Sequence, residues 1–497
     1  MITYGRRKIF ADCDHIDETN IEKIIGDALE VHKKNAVEIE YLRNYAKGVQ
    51  PILERGKKIR EDIVNKVVVN TASEVIDFKM SYIFAAPIEI VRPANAASDI
   101  DITLFQHYMA EQDKDGVDQE IALDLCIGGV AYRGVLNNPR SDEESPFCMV
   151  EMLPETTFCI YKNDVFRRKL LGVSYVVCTN GDVIYTAYTP THRYELRSDA
   201  STTPRLVNAS ANGIGEIPIA EYFMPEGMGV FEKAMSLMNA YNTATSNRID
   251  DIEQFVQSIL AIFGVDLDDK ALEQLKTSLC LLVPDVQEGV QPQAKYLNNS
   301  MDQTSVQSVV DDVYFHILEI CGVPGREQSS GGNTGNATEL GAGGWRKAQY
   351  AAERLIRAWQ KGDREMYRIA LSILDRAAKV PAELKKMRVT DLESKFTLSK
   401  SNNLLSKTQA LTTMIQCGIA PRIAIREVDL FADAEATYME SKPYLDKALE
   451  RMSGATKQSD GEASNDEKRR GDVTNQPKSE QSLTQAAEGR GNVQKQD

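Results

Sequence analysis

The chain has 497 residues, 42% of them hydrophobic, enough for roughly two to four cored domains. No apolar run approaches the ~20 residues that span a bilayer, and the basic residues of Met1–Phe10 have no apolar stretch behind them. Neither a membrane anchor nor a signal peptide is therefore expected, and the expected setting is cytoplasmic. The net charge of −15 is the wrong sign for gripping phosphates; it fits either an acidic wall along which DNA slides unheld or a chain that meets no DNA at all. Eight scattered cysteines with no Cys-x-x-Cys pair are expected to be buried, reduced thiols.

In chain order, the apolar spacing of Ile21, Ile24, Ile25, Leu29, Ile39, Leu42 and Tyr45 predicts a helix over 16–46, with a turn at 47–52. A second helix is predicted from about 64 to 82, stopping before Ala86-Pro87. A β-like stretch follows at 87–95, then helix at 101–126. Residues 128–222 carry strand signals at 159–161, 171–177 and 183–188, with Asn180-Gly181-Asp182 as a hairpin turn.

Residues 230–263 read as helix, because Ile249, Ile252, Val256, Ile259 and Phe263 recur every three or four positions. A short α/β insert at 265–301 contains the apolar run Leu279–Val283, expected to be a strand. Val306, Val310, Val313, Ile317 and Ile320 predict a second helix that ends at Gly322-Val323-Pro324. Next comes a polar, glycine-rich loop over 325–344, expected to be mobile. Trp345, Ala348, Ala352, Leu355, Trp359, Gly362, Met366, Ile369 and Ile373 mark one long helix. Its stripe suits a core-facing helix better than a coiled-coil seam, because small residues interrupt it. Two helices joined at Gly418–Pro421 follow over 404–435, and the tail from about Ser453 has a disordered composition. The fold class expected is α+β, mostly helical.

No catalytic constellation emerges. The five histidines include no His-x-x-x-His pair, and His316 reads as a packed or interface histidine. There is no Gly-x-Ser-x-Gly elbow and no Gly-x-x-x-x-Gly-Lys-Ser/Thr loop. The adjacent carboxylates Asp250-Asp251, Asp268-Asp269 and Asp311-Asp312 diverge by about 100° on a helix, which suggests solvated faces. Lys57-Lys58-Ile59-Arg60 reads as a solvated basic loop. No cofactor and no metal are expected.

A series of motifs is more specific. Tyr41-Leu42-Arg43-Asn44-Tyr45-Ala46-Lys47-Gly48-Val49-Gln50-Pro51-Ile52 precedes Val75-Ile76-Asp77-Phe78-Lys79-Met80-Ser81-Tyr82-Ile83-Phe84 and Pro87-Ile88. Further on stand Gly215-Glu216-Ile217-Pro218-Ile219, then Asn239-Ala240-Tyr241-Asn242 with Ser246, then Gly332-Asn333-Thr334-Gly335-Asn336-Ala337. In order and spacing, over about residues 35 to 435, these resemble the portal proteins of tailed double-stranded DNA bacteriophages, in the siphophage branch from Gram-positive hosts. Ala85-Ala86 and Thr334 depart from the glycine and serine common there.

The resemblance implies a portal fold with wing, stem, clip and crown regions that assembles into a cyclic ring. It would place a wing at 1–246, stem helices at 247–264 and 302–322, a clip at 265–301 and a tunnel loop at 323–338. A long wing helix would take 339–380, a crown 381–452, and a disordered tail 453–497. The tunnel loop would present Arg326, Gln328, Ser329, Ser330, Asn333, Thr334 and Asn336 to DNA. Ile252, Val256, Ile259, Val306, Val310, Val313 and Ile317 would pack stem against stem. The implied assembly is a ring of about twelve copies at one capsid vertex of the virion. DNA would pass through it non-specifically. Its implied partners are the terminase large subunit, a head-completion adaptor and the major capsid and scaffolding proteins. A head protein that forms no ring stays open as an alternative, as does a carboxylate-based nuclease or hydrolase.

Overall fold

The computed structural model describes residues 5–57, 63–93, 100–141, 144–199, 203–256, 259–263, 293–297, 303–325, 335–399, 404–428, 430–431 and 437–444. The chain divides into two compact units, residues 1–402 and 403–497.

Strand β1 (Ile9–Ala11) leads to helix α1 (Ile21–Ala46), which begins at Ile21 rather than Ile16. Its N-terminal half packs Ile21, Ile25, Ala28 and Leu29 on one sheet, while Leu42 and Tyr45 enter a second core. Helix α2 (Thr71–Ile83) starts seven residues later than expected, capped by Asn70, whose side chain accepts from the Ser73 N–H. Residues 63–70, including Val67-Val68-Val69, run without regular structure. After β2 (Glu89–Val91) the predicted helix over 101–126 is two: α3 (Thr103–Glu111) and α4 (Lys114–Gly128). The break falls at Asp113, which takes a left-handed conformation and caps α4.

The strands are β3 (Val130–Asn137), β4 (Phe147–Met152), β5 (Thr157–Lys162), β6 (Lys169–Val177), β7 (Val183–Tyr188), β8 (His192–Ser198), β9 (Arg205–Ala211) and β10 (Ile219–Phe223). One sheet has the order β1-β5-β6-β7-β8-β9, antiparallel except for β1 along β5. A second, three-stranded sheet has the order β10-β3-β4. The expected hairpin between β6 and β7 forms, and Gly181 supplies its positive φ of 89°. Next come α5 (Met235–Val256), β11 (Ile259–Phe263), β12 (Gln293–Leu297), α6 (Gln303–Cys321), α7 (Gly335–Arg376) and β13 (Glu393–Lys395), which pairs with β2. This arrangement is α+β.

The stripe on α7 faces the core, as the interruption by small residues predicted. Ala348, Ala352, Leu355, Trp359, Met366, Ile369 and Ile373 are buried, while Trp345 is exposed. Trp359 sits among Phe84, Tyr222 and Phe396, at ring distances of 4.9, 4.8 and 6.5 Å. Beneath it the buried Arg133 pairs with Asp118, which also holds Lys114. The Tyr222 hydroxyl donates to Asp363 at 2.8 Å.

Gly362 lies in the middle of α7, where an alanine would ordinarily gain about 1 kcal/mol of helix propensity. A Cβ there would lie 2.4 to 2.7 Å from three ring atoms of Tyr222, a ring wedged against Trp359. Gly362→Ala is therefore expected to destabilise, by about 2 kcal/mol in chemical denaturation.

Residues 381–398, expected to open the crown, pack in the first unit through Leu384, Met387 and Leu392. In the second unit, α8 (Leu404–Gln416) and α9 (Pro421–Val428) flank the predicted turn, with Gly418 at positive φ. The seven described cysteines are free, as expected. Only Cys126, Cys159 and Cys321 are fully buried, however, and Cys417 is exposed.

Candidate functional site

Helices α5 and α6 lie side by side, and the strands between them in the chain, β11 and β12, pair antiparallel, with Ile259 facing Leu297 and Phe263 facing Gln293. The helix predicted to reach 263 thus stops at Val256, and Ile259 belongs to a strand. A five-residue run, Ile-Leu-Ala-Ile-Phe, satisfies both periodicities, and pairing across the hairpin decides between them. The predicted strand at 279–283 lies outside the described residues.

Between the two helices, Arg248 donates to the Gln307 side chain at 2.5 Å, and the rings of Tyr241 and Tyr314 are 5.7 Å apart. Val310 and Ile317 are fully buried inside this protomer, and Val306 and Val313 are half-buried. Val310 and Ile317 therefore pack in the core of one chain. The apolar residues left outward are Ile249 and Ile252 on α5, with Val309, Phe315 and Ile320 on α6. Ile252 is 56% exposed and Val309 60%. The Val256 side chain lies outside the described residues, as do Arg326, Gln328, Ser329, Ser330, Asn333, Thr334 and the side chain of Asn336. His316 is not packed: its ring is largely exposed, 3.6 Å from Glu319.

The root of the hairpin carries a feature that the sequence reading passed over. Asn242, Ser246 and Asp250 stand four residues apart on α5 and are all fully buried. They accept hydrogen bonds from alternate backbone N–H groups of the preceding segment: Val69 to Asn242 at 2.9 Å, Val67 to Ser246 at 3.0 Å, and Asn65 to Asp250 at 2.7 Å. A strand-like run with no strand partner thereby satisfies its donors on helix side chains. Asn242 also donates to Gln50 at 2.5 Å.

Asp250, expected on a solvated face, is instead the most connected group at this root. Arg55 and Lys57 approach it at 3.1 and 2.6 Å, and the Asn65 amide donates to it at 2.9 Å. Burial alone pushes its carboxyl up. The contacts with Lys57 and Asn65 outweigh that and leave it below the ordinary carboxylate range. Lys57, read as part of a solvated loop, is half of an ion pair, and residues 58–62 lie outside the described set. The readable signal was the four-residue spacing of short polar side chains, which puts all three on one stripe.

At its far end α6 closes in a Schellman turn. Val323 N–H reaches Leu318 O at 2.9 Å and Gly322 N–H reaches Glu319 O at 3.2 Å, with Gly322 at positive φ. The buried Lys79 amine donates to Gly322 O at 2.9 Å. Burial lowers the pKa of Lys79 to about 8. The glycine-rich loop thus departs from a fixed point. Among the described residues no cluster of metal-ligating side chains occurs, and no helix is long and apolar enough to cross a membrane.

A comparison with curated proteins finds no match. The family model for phage portal protein, SPP1 Gp6-like, matches residues 26–450, a span that takes in most of α1, the polar ladder, the α5–α6 hairpin and α7. This chain belongs to the phage portal protein family.

Proposed function

We propose that about twelve copies of the chain close into a ring at one capsid vertex, forming the channel for DNA packaging and ejection. The observation that carries this reading is the hairpin of α5 and α6. It is anchored at its root, yet it leaves Ile249, Ile252, Val309 and Ile320 uncovered. Exposed apolar residues on a paired-helix surface suit burial against a different patch of a neighbour, in a head-to-tail contact that repeats around a closed ring. In this reading Ile252 stays a contact residue and Val309 joins it, while Val310 and Ile317 pack within the protomer. The strands β11 and β12 belong to the clip, and the polar loop after Gly325 touches passing DNA without base readout.

The motor that hydrolyses ATP would be the terminase large subunit docked on the ring. Head-completion adaptors, capsid and scaffolding proteins complete the partner set, and the host branch would be Gram-positive. Native mass measurement with negative-stain microscopy tests the reading. Rings with a central hole and about twelve subunits are expected. A chain that stays monomeric at high concentration and cuts DNA or cell wall would overturn it.

A further inference from the structure

A cavity of about 540 Å³ opens between β10, the β5–β6 turn and the outer face of α7. Six basic side chains line it: Lys8, Arg167, Arg168, Lys169, Lys361 and Arg368. This is an odd concentration in a chain of net charge −15. On the inner wall the charges are closed into pairs, Lys8 with Glu221 at 2.9 Å and Lys169 with Glu365 at 2.6 Å. Tyr161 donates to Glu221 at 2.5 Å and fixes that wall further.

The mouth is different. Arg168, Lys361 and Arg368 make no ion pair among the described residues, and the Arg167 guanidinium lies over the Phe10 ring. Among the lining residues Glu216 is the one acid outside those pairs, so four cations face one carboxylate; the exposed Asp14 also acts on Arg168, which leaves about two to three positive charges over. The volume falls in the range of small-ligand sites, about 300 to 1,000 Å³. A peptide would have to converge two or three separate carboxylates to match this charge, whereas a diphosphate carries it on one compact group. Phe166, 82% exposed beside the mouth, adds an aromatic face on which a base can lie.

We propose that this cavity binds a polyphosphate group, free or at the end of a nucleotide, through Arg168, Lys361 and Arg368. The site is separate from the α5–α6 hairpin and requires no catalysis. The test is isothermal titration of the full chain with sodium pyrophosphate, and separately with ATP, at fixed low salt. One saturable site per protomer is expected for both probes. Lys361→Gln with Arg368→Gln should weaken binding by at least roughly tenfold. Arg364→Gln, on the same helix but outside the cavity, should leave it unchanged. Because Lys361 and Arg368 are exposed, the double variant should fold normally, which far-UV circular dichroism checks. Absence of saturable binding, equal affinity in the double variant, or tighter binding of a triglutamate peptide than of pyrophosphate would each overturn the proposal.

Discussion

Asp250→Ala is expected to lower stability by about 3 kcal/mol, measured by urea denaturation, because it removes the acceptor for two cations and two amide donors at once. The lower end of the usual range applies. Arg55 keeps its bonds to Asn247 and to the Asn65 carbonyl, and Lys57 is partly exposed and can rehydrate. Asp251→Ala, one residue on and turned by about 100°, should stay within about 0.5 kcal/mol. The pH dependence separates the charge from the shape. Asp250 has a folded pKa below its unfolded value, so its contribution is full above about pH 4 and is lost as pH falls through the folded value. The alanine variant should show a flatter acid limb than the parent chain. An equal slope in both would remove the ion pair from the account.

The second large effect is expected at Trp359. It is the largest fully buried side chain, and three aromatic neighbours and Arg133 enclose it. Trp359→Ala should cost about 3 to 5 kcal/mol, since a rigid aromatic wall cannot collapse into the void. Trp359→Phe should cost much less, about 1 kcal/mol. The indole N–H has no hydrogen-bond partner among the described residues, so its removal offsets part of the lost contact. Unfolding followed by far-UV circular dichroism checks both variants without depending on the tryptophan signal itself. Equal losses for alanine and phenylalanine would mean that the indole N–H is satisfied.

What could be read in advance were the elements whose reason is local. The stripe of α7, the spacing on α6, the Asn180-Gly181-Asp182 hairpin and the break at Gly418–Pro421 all follow from periodicity or turn chemistry. What could not be read depended on distant partners. Val67-Val68-Val69 sits in a non-helical run because its alternate N–H groups are claimed by side chains about 175 residues away. Ile259 is in a strand because Leu297 lies opposite. Adjacent carboxylates do diverge on a helix, but that divergence does not make both of them wet. The same divergence sends Asp251 outward and Asp250 into the protein.

The polar ladder also has a built-in length. Four residues of helix advance about 6.0 Å, while two residues of extended chain advance about 6.6 Å, so the two scales drift by about 0.6 Å per rung. Three rungs, at 242, 246 and 250, stay within hydrogen-bond tolerance. A fourth, pairing 254 with 63, would fall about 2 Å out of step, and in the other direction Thr71 already belongs to α2. The two elements therefore work as a vernier with a single coincidence. Sliding α5 along its axis by even one residue would rotate every acceptor away from its donor, so the ladder fixes both the height and the rotation at which the hairpin leaves its root.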